Sequence, residues 1–243
     1  MRTAEPVSKP LVVSRPLVVS GFSKTLSVLK PVVVAALLVV GITAAEPGHA
    51  QTRNSRLFPP LDLGLLEGPD RDEWQRPDQI MDALLIADGS MVADLGCGAG
   101  WFTVRLARRV GPNGLVYAED VQVEMIGATQ RRVQREGLRN VRPVLGTQDD
   151  PKLPTGRMDA VLIVGIYHEI VNPVALLRNV ARALKPAGRV GIVEFTPGDG
   201  GPGPTAGERV DPKLIQQDTQ RAGLRFLKQE SFLQFQYLLI FGK

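Results

Sequence analysis

The stretch that most constrains the fold is Met91-Val92-Ala93-Asp94-Leu95-Gly96-Cys97-Gly98-Ala99-Gly100, an apolar run that ends in an acid and opens into glycines at alternate positions. Trp101-Phe102-Thr103-Val104-Arg105-Leu106 follows at once with amphipathic spacing. That order reads as strand, tight loop and helix start. Glycine serves such a loop twice: the backbone can pass beneath a bound molecule with no Cβ in the way, and it can take positive φ. Two ligand classes suit the shape. A dinucleotide would rest its pyrophosphate on the helix N-terminus, but its spacing is Gly-x-Gly-x-x-Gly, and Trp101 stands where the third glycine belongs. S-adenosylmethionine has no phosphate and carries a sulfonium and an ammonium, which suit Asp94; the same acid would repel a pyrophosphate. A purely structural strand-to-helix turn is the third alternative.

Around this stretch the pattern alternates strand and helix. Helical spacing runs from Asp78 through Leu85, and Phe102, Leu106 and Val110 recur every fourth residue, with Arg105, Arg108 and Arg109 on the solvated faces. Leu115 to Glu119 predicts a second strand, ending in the acids Glu119 and Asp120 about twenty residues past the glycines, where a ribose hydroxyl could be met. A helix over 122–136 and a strand over 141–145 follow. Ala160 to Val164 is continuously apolar, as expected of a central parallel strand covered on both faces. Asn172 and Pro173 start a helix, Arg189 to Phe195 is a strand, and Asp211-Pro212 opens a last helix before strands near 225–229 and 233–241. The segment from Pro197 to Gly207 is nearly all glycine and proline and is expected to be a mobile rim or lid.

The nonapeptide Val92 to Gly100 resembles motif I of the class I S-adenosylmethionine-dependent methyltransferases. The likeness extends from about Trp74 to Phe241 through Trp74-Gln75-Arg76-Pro77, Val116 to Asp120, Tyr167-His168-Glu169, Leu184-Lys185-Pro186 and Gln236-Tyr237, and is to a bacterial subgroup of that family. The resemblance implies an α/β, Rossmann-like fold: a mostly parallel seven-stranded sheet with helices on both faces and an antiparallel C-terminal strand. It implies S-adenosylmethionine as cofactor, held by Asp94, Gly96, Cys97, Gly98, Gly100, Asp120 and Val121. An acid in the loop after the third strand would meet the adenine, and Asp149 or Asp150 could fill that role or could simply cap a turn. The pattern's usual Pro-Gly-Gly has Ala187 in its middle, and its frequent acid at position 165 is glycine.

Methyl transfer from a sulfonium needs chiefly that donor and acceptor be held in line, with a base only where the acceptor must lose a proton. His168 sits at the carboxyl end of the central strand, where open α/β sheets bind ligands. His168, Glu169 and Tyr167 are the candidate catalytic residues: His168 reads either as that base or, with Glu169, as a backbone-shaping residue, and Tyr167 reads as pocket wall rather than acid. No His, Cys or Asp cluster has metal-ligand spacing. Cys97, the lone cysteine, reads as a small spacer in the loop.

The chain has 243 residues, enough for one sizeable α/β domain. Residues 1–50 read as a signal peptide: Lys24 and Lys30, then fifteen apolar residues from Pro31 to Ala45, then Gly48-His49-Ala50 at a cut site. An uncleaved anchor or a misassigned start are the alternatives. Residues 51–73 form a linker or arm whose Leu61, Leu63, Leu65 and Leu66 could pack on the domain, and 74–243 form the methyltransferase domain. The formal charge of +4 resides mostly in residues 1–50, whose removal leaves 24 basic against 23 acidic residues. With no basic body, nucleic acid is not expected as a partner. A small-molecule methyl acceptor is expected, in an exported protein with no stable membrane association after cleavage.

Overall fold

The computed structural model describes residues 57–66, 68–198 and 200–243. The expected signal peptide therefore lies outside the described residues. Seven strands form one sheet in the order β3-β2-β1-β4-β5-β7-β6. β1 (Met91–Leu95), β2 (Leu115–Asp120), β3 (Val141–Leu145), β4 (Met158–Val164) and β5 (Leu184–Phe195) are parallel. β7 (Gln236–Gly242) runs antiparallel between β5 and β6 (Arg225–Glu230). The implied fold class is thus observed, with the antiparallel element a hairpin.

The alternation of side chains along the strands divides the core between two faces. Ala93, Leu95, Val161, Ile163, Ile192 and Leu239 pack with α5 (Pro173–Ala183) and α6 (Pro212–Arg221). Val92, Val116, Leu162, Val193 and Leu238 pack with α2 (Pro77–Ala83) and α3 (Trp101–Val110). α4 (Val123–Arg135) lies beside β2 and β3. Asn172 occupies the N-cap position of α5 without a side-chain capping bond, whereas Asp211 accepts from the Lys213 N–H and caps α6.

Several boundaries differ from the sequence expectation. α1 (Arg71–Gln75) straddles the expected join between linker and domain at 73/74, and residues 60–66 form a 3-10 helix. Leu61 does not pack; it is 98% exposed. β5 begins at Leu184 rather than at Arg189, because Leu184 pairs with Met158 before the register shifts across Lys185–Gly188. Lys185 closes that irregularity by reaching Asp159 at 2.7 Å, and Asp159 in turn accepts from the Met91 N–H that begins β1.

The arginines of α3 do more than face solvent. Arg105 meets Asp72 on α1, Arg109 meets Asp78 and Asp82 on α2, and Arg108 meets Glu136. Such surface pairs contribute little energy singly, but they register the two short helices against α3.

The glycine-proline rim after β5 has a defined anchor. The buried Arg209 guanidinium donates to the carbonyls of Thr196, Gly200, Pro202 and Pro204 and lies over the Phe195 ring. A planar fork of donors suits a segment whose prolines supply carbonyls and no N–H groups. Arg209→Ala is expected to lower stability by about 1.5 to 3 kcal/mol, the range for hydrogen bonds to a charged group. It should also make the 196–208 segment the first cut by protease. Urea denaturation with mapped proteolysis checks both, and an unchanged cleavage pattern would mean that the loop holds its shape without the arginine.

Candidate functional site

The carboxyl ends of β1, β2, β4 and β5 meet at one edge of the sheet, and the glycine loop crosses that edge. Gly96, Gly98 and Gly100 all have positive φ, at 72°, 53° and 80°, so the alternation seen in sequence is a run of alternate left-handed residues. The loop is tied to the end of β2: the N–H groups of Gly96 and Cys97 both donate to the Glu119 carbonyl at 2.8 Å.

Asp94 and Asp120 flank the loop. Asp94 is buried at the end of β1 and accepts from the Thr103 hydroxyl on α3 at 2.6 Å. Burial lifts its pKa to about 6, with the Thr103 hydrogen bond and the nearby Arg71 charge working in the other direction. Asp120 accepts from the Gly98 N–H and the Gln122 N–H, both at 3.0 Å. Each of its oxygens keeps capacity for a hydroxyl donor. Glu119 lies next to it on the strand, and burial pushes its pKa to about 8, which leaves it neutral at pH 7. Burial raises the Asp120 pKa as well, with the Gln122 and Gly98 N–H groups working in the other direction.

Asp94, Gly96, Cys97, Gly98, Asp120 and Val121 line a cavity of about 830 Å³. Cys97 is buried in contact with Thr129, and burial raises its thiol pKa, so it is a packing residue and no nucleophile. Gly100 serves as the N-cap of α3 and is absent from the cavity wall. Asp149 and Asp150 are exposed and absent from it too. Asp150 caps a turn by accepting from the Lys152 N–H, and the Asp149 carbonyl accepts from Asn179. Thr147 and Gln148 occupy the wall in their stead.

His168 and Glu169 also line the cavity, on a short 3-10 helix over Tyr167–Glu169 after β4. Tyr167 does not join them. Its ring is fully buried, its hydroxyl donates to Asp218 on α6 at 3.0 Å, and it does not reach the wall. The imidazole has an acid on each side: Nδ1 lies 3.4 Å from Glu194 and Nε2 lies 3.7 Å from Glu169. Burial by itself draws the imidazole pKa down, but the Glu194, Glu169 and Glu208 carboxylates outweigh it and hold the value above 6.5. Glu194 is fully buried and also accepts from the Tyr167 N–H at 2.6 Å. Sequence reading missed it, although an acid inside the apolar Ile192-Val193-Glu194-Phe195 was a legible signal.

Two further groups were not foreseen. The arm crosses the cleft at Phe58, whose N–H donates to Glu169 and whose carbonyl accepts from Gln122, so residues 57–59 bridge the ends of β2 and β4. Arg71 on α1 also faces the cavity, its guanidinium 4.1 Å from the centroid of the Trp101 ring, which Arg105 covers as well. Among the described residues no group of His, Cys, Asp and Glu could hold a metal ion, and no helix is long and apolar enough to cross a membrane.

These features fit S-adenosylmethionine on the structure's own terms. The loop gives backbone a close approach, and the two buried carboxylates beside it suit a cation and would repel a pyrophosphate.

Comparison with known proteins agrees. Residues 92–188 match a protein-family model described as a methyltransferase domain. Nocamycin O-methyltransferase of Saccharothrix syringae is 32% identical over 127 residues, which cover 51% of this chain and 45% of that one. A ubiquinone/menaquinone biosynthesis C-methyltransferase of Pasteurella multocida is 33% identical over 129 residues, covering 51% and 46%. The matched part thus spans a little under half the length of these curated relatives. The crystal structure of an S-adenosylmethionine-dependent methyltransferase from Aquifex aeolicus superposes with a TM-score of 0.73 at 26% identity, covering 76% of this chain and 98% of that one. With motif I, the strand order and these matches in agreement, residues 92–188 form a methyltransferase domain, and the chain has the fold of the class I S-adenosylmethionine-dependent methyltransferases.

Proposed function

We propose that this protein transfers the methyl group of S-adenosylmethionine to a small, largely apolar acceptor, with His168 as general base. The observation that supports this best is the continuity of the cavity, which runs from the glycine loop between Asp94 and Asp120 to the His168 imidazole. Its volume of about 830 Å³ lies toward the upper end of ordinary small-molecule sites and allows donor and acceptor together.

In this reading Asp120 accepts from the ribose hydroxyls, with Val121 beside it. Gly96, Cys97, Gly98 and Gly100 shape the loop under the adenosyl group, and Asp94 faces the ammonium. Arg71 offers its guanidinium to the methionyl carboxylate. When bound, the cofactor supplies a methyl carbon already activated by sulfonium; the acceptor's lone pair forms the new bond while the S–C pair stays on sulfur. His168 takes the proton the acceptor loses. Glu194 and Glu169 stabilise the resulting imidazolium, which makes the histidine a stronger base than it would be in water. Glu169 also anchors the arm, so closure over the cofactor and orientation of the base share one carboxylate.

The division of the chain into a signal peptide over 1–50, an arm over 51–73 and a catalytic domain over 74–243 belongs to the same proposal and rests on composition. An exported enzyme needs a supply of cofactor outside the cytoplasm. Mass determination of the protein recovered from its native host is expected to give an N-terminus at or near Gln51. Full-length protein in the cytosolic fraction would reject export.

S-adenosylhomocysteine should bind with an affinity that is level above pH 6 and weakens about tenfold per unit below it, as Asp94 takes up one proton. The ligand-free fold behaves oppositely. A carboxyl raised from 3.8 to about 6 keeps a proton that the unfolded chain has released, so stability falls as pH rises through that window. The thermal shift produced by the ligand is therefore largest above pH 6. Calorimetry across pH 5 to 8 decides it, and an affinity independent of pH would remove Asp94 from the ammonium.

His168→Ala is expected to lower turnover by about 10²- to 10⁴-fold with cofactor affinity nearly unchanged. The parent's activity should rise with pH through an apparent pKa above 6.5, as the imidazole loses its proton. Stability moves the other way: the pairing with Glu194 stabilises the fold fully below 6.5, and that contribution is lost as pH rises through the higher folded value. A fully active, stable variant would reject the base.

A further inference from the structure

Behind the acceptor end of the cavity lies a chain of three polar side chains with a defined direction. Arg71 Nε donates to Gln75 Oε1 at 2.5 Å, and Gln75 Nε2 donates to Gln236 Oε1 at 2.9 Å. Gln75 and Gln236 are only 1% and 3% exposed, and both line the cavity. Arginine can only donate, so Gln75 must turn its oxygen to Arg71 and its NH₂ to Gln236. Gln236 must then answer with its oxygen, since rotating that amide would set two NH₂ groups against each other. The consequence is that Gln236 Nε2 ends the chain as a buried donor with no partner among the described residues. Buried side-chain donors ordinarily have partners, and an unmade bond at a cavity wall points to a group the protein meets only when a ligand is present.

The surroundings define that ligand. Trp74 lies 6.3 Å from Phe195 and 6.2 Å from Phe235, centroid to centroid, and all three rings line the same part of the cavity. Gln236 pairs with Phe195 across β5 and β7, which brings the amide to the aromatic wall.

We infer that Gln236 is a specificity-determining residue for the acceptor: its Nε2 donates to a carbonyl or phenolate oxygen on a flat, largely hydrocarbon molecule lodged among Trp74, Phe195 and Phe235. Nε2 is covered, so the oxygen reaches it as the side chains over it give way. This assignment rests on the methyltransferase reading, because it places the acceptor next to His168.

The test uses protein saturated with S-adenosylhomocysteine and three probes of one size: 1-tetralone, which carries an accepting oxygen, tetralin, which carries none, and 1-tetralol, whose hydroxyl can donate. Calorimetry is expected to show tetralone binding about 3- to 10-fold tighter than tetralin, the value of one net hydrogen bond. Gln236→Leu should erase that preference with S-adenosylhomocysteine affinity kept. Gln236→Glu, which keeps an acceptor for Gln75 and loses the amide donor, should favour tetralol over tetralone, and it serves where the leucine variant does not fold. Equal binding of tetralone and tetralin by the parent, or an undiminished preference in either variant, overturns the assignment alone. Failure of the parent to bind S-adenosylhomocysteine overturns the methyltransferase reading and this inference with it.

Discussion

The architecture of this site depends on carboxylates held in a place that disfavours their charge. Asp94, Glu119, Asp120 and Glu194 all stand at the carboxyl edge of the sheet, each no more than 6% exposed. Water cannot solvate them there, so each must be met by donors or give up ionisation. Four local solutions result. Asp94 takes the Thr103 hydroxyl, Asp120 takes the Gly98 and Gln122 N–H groups, Glu194 takes the Tyr167 N–H and the imidazole edge, and Glu119 shifts far enough to stay neutral at pH 7. The loop conformation follows from this. Gly98 presents its N–H to Asp120 with φ at 53°, a backbone geometry that glycine adopts without steric cost.

Much of this was legible in the sequence, because the strongest signals were local. A strand ending in Asp94, alternate glycines and an amphipathic helix specify their own geometry, and the apolar run at 160–164 announced the central strand that delivers His168. What was not legible depended on contacts across long separations. Gln75 meets Gln236 across 161 positions, and Phe58 meets Glu169 across 111. Spacing carries no trace of such pairs. Tyr167 was misplaced for a related reason: in a 3-10 turn adjacent residues project in different directions, and Tyr167 turns into the core toward Asp218 while His168 turns to the cavity. Asp149 and Asp150 were drawn toward the adenine by resemblance, whereas turn chemistry claims Asp150 and leaves the wall to Thr147 and Gln148.

The antiparallel β7 has a consequence for the site beyond closing the sheet. A parallel strand beside β5 would bring its carboxyl end to the functional edge; the reversed strand brings its first residue, so Gln236 pairs with Phe195 and Tyr237 with Glu194. Tyr237 then donates to the Val210 carbonyl, which ties the segment after the rim to the sheet. Reversal of a single strand thereby places an amide, an aromatic wall and the anchored rim around the same end of the cavity.

The two ends of the cavity share one wall in α1. Only five residues long, this helix has little stability of its own and owes its position to tertiary contacts, including the Arg105–Asp72 pair and the stacking of Arg71 on Trp101. The Arg71 charge lowers the Asp94 pKa at the glycine-loop end, while its Nε sets the direction of the Gln75–Gln236 chain at the aromatic end. One side chain on α1 therefore contributes to both ends of the cavity, by charge at the first and by hydrogen-bond direction at the second.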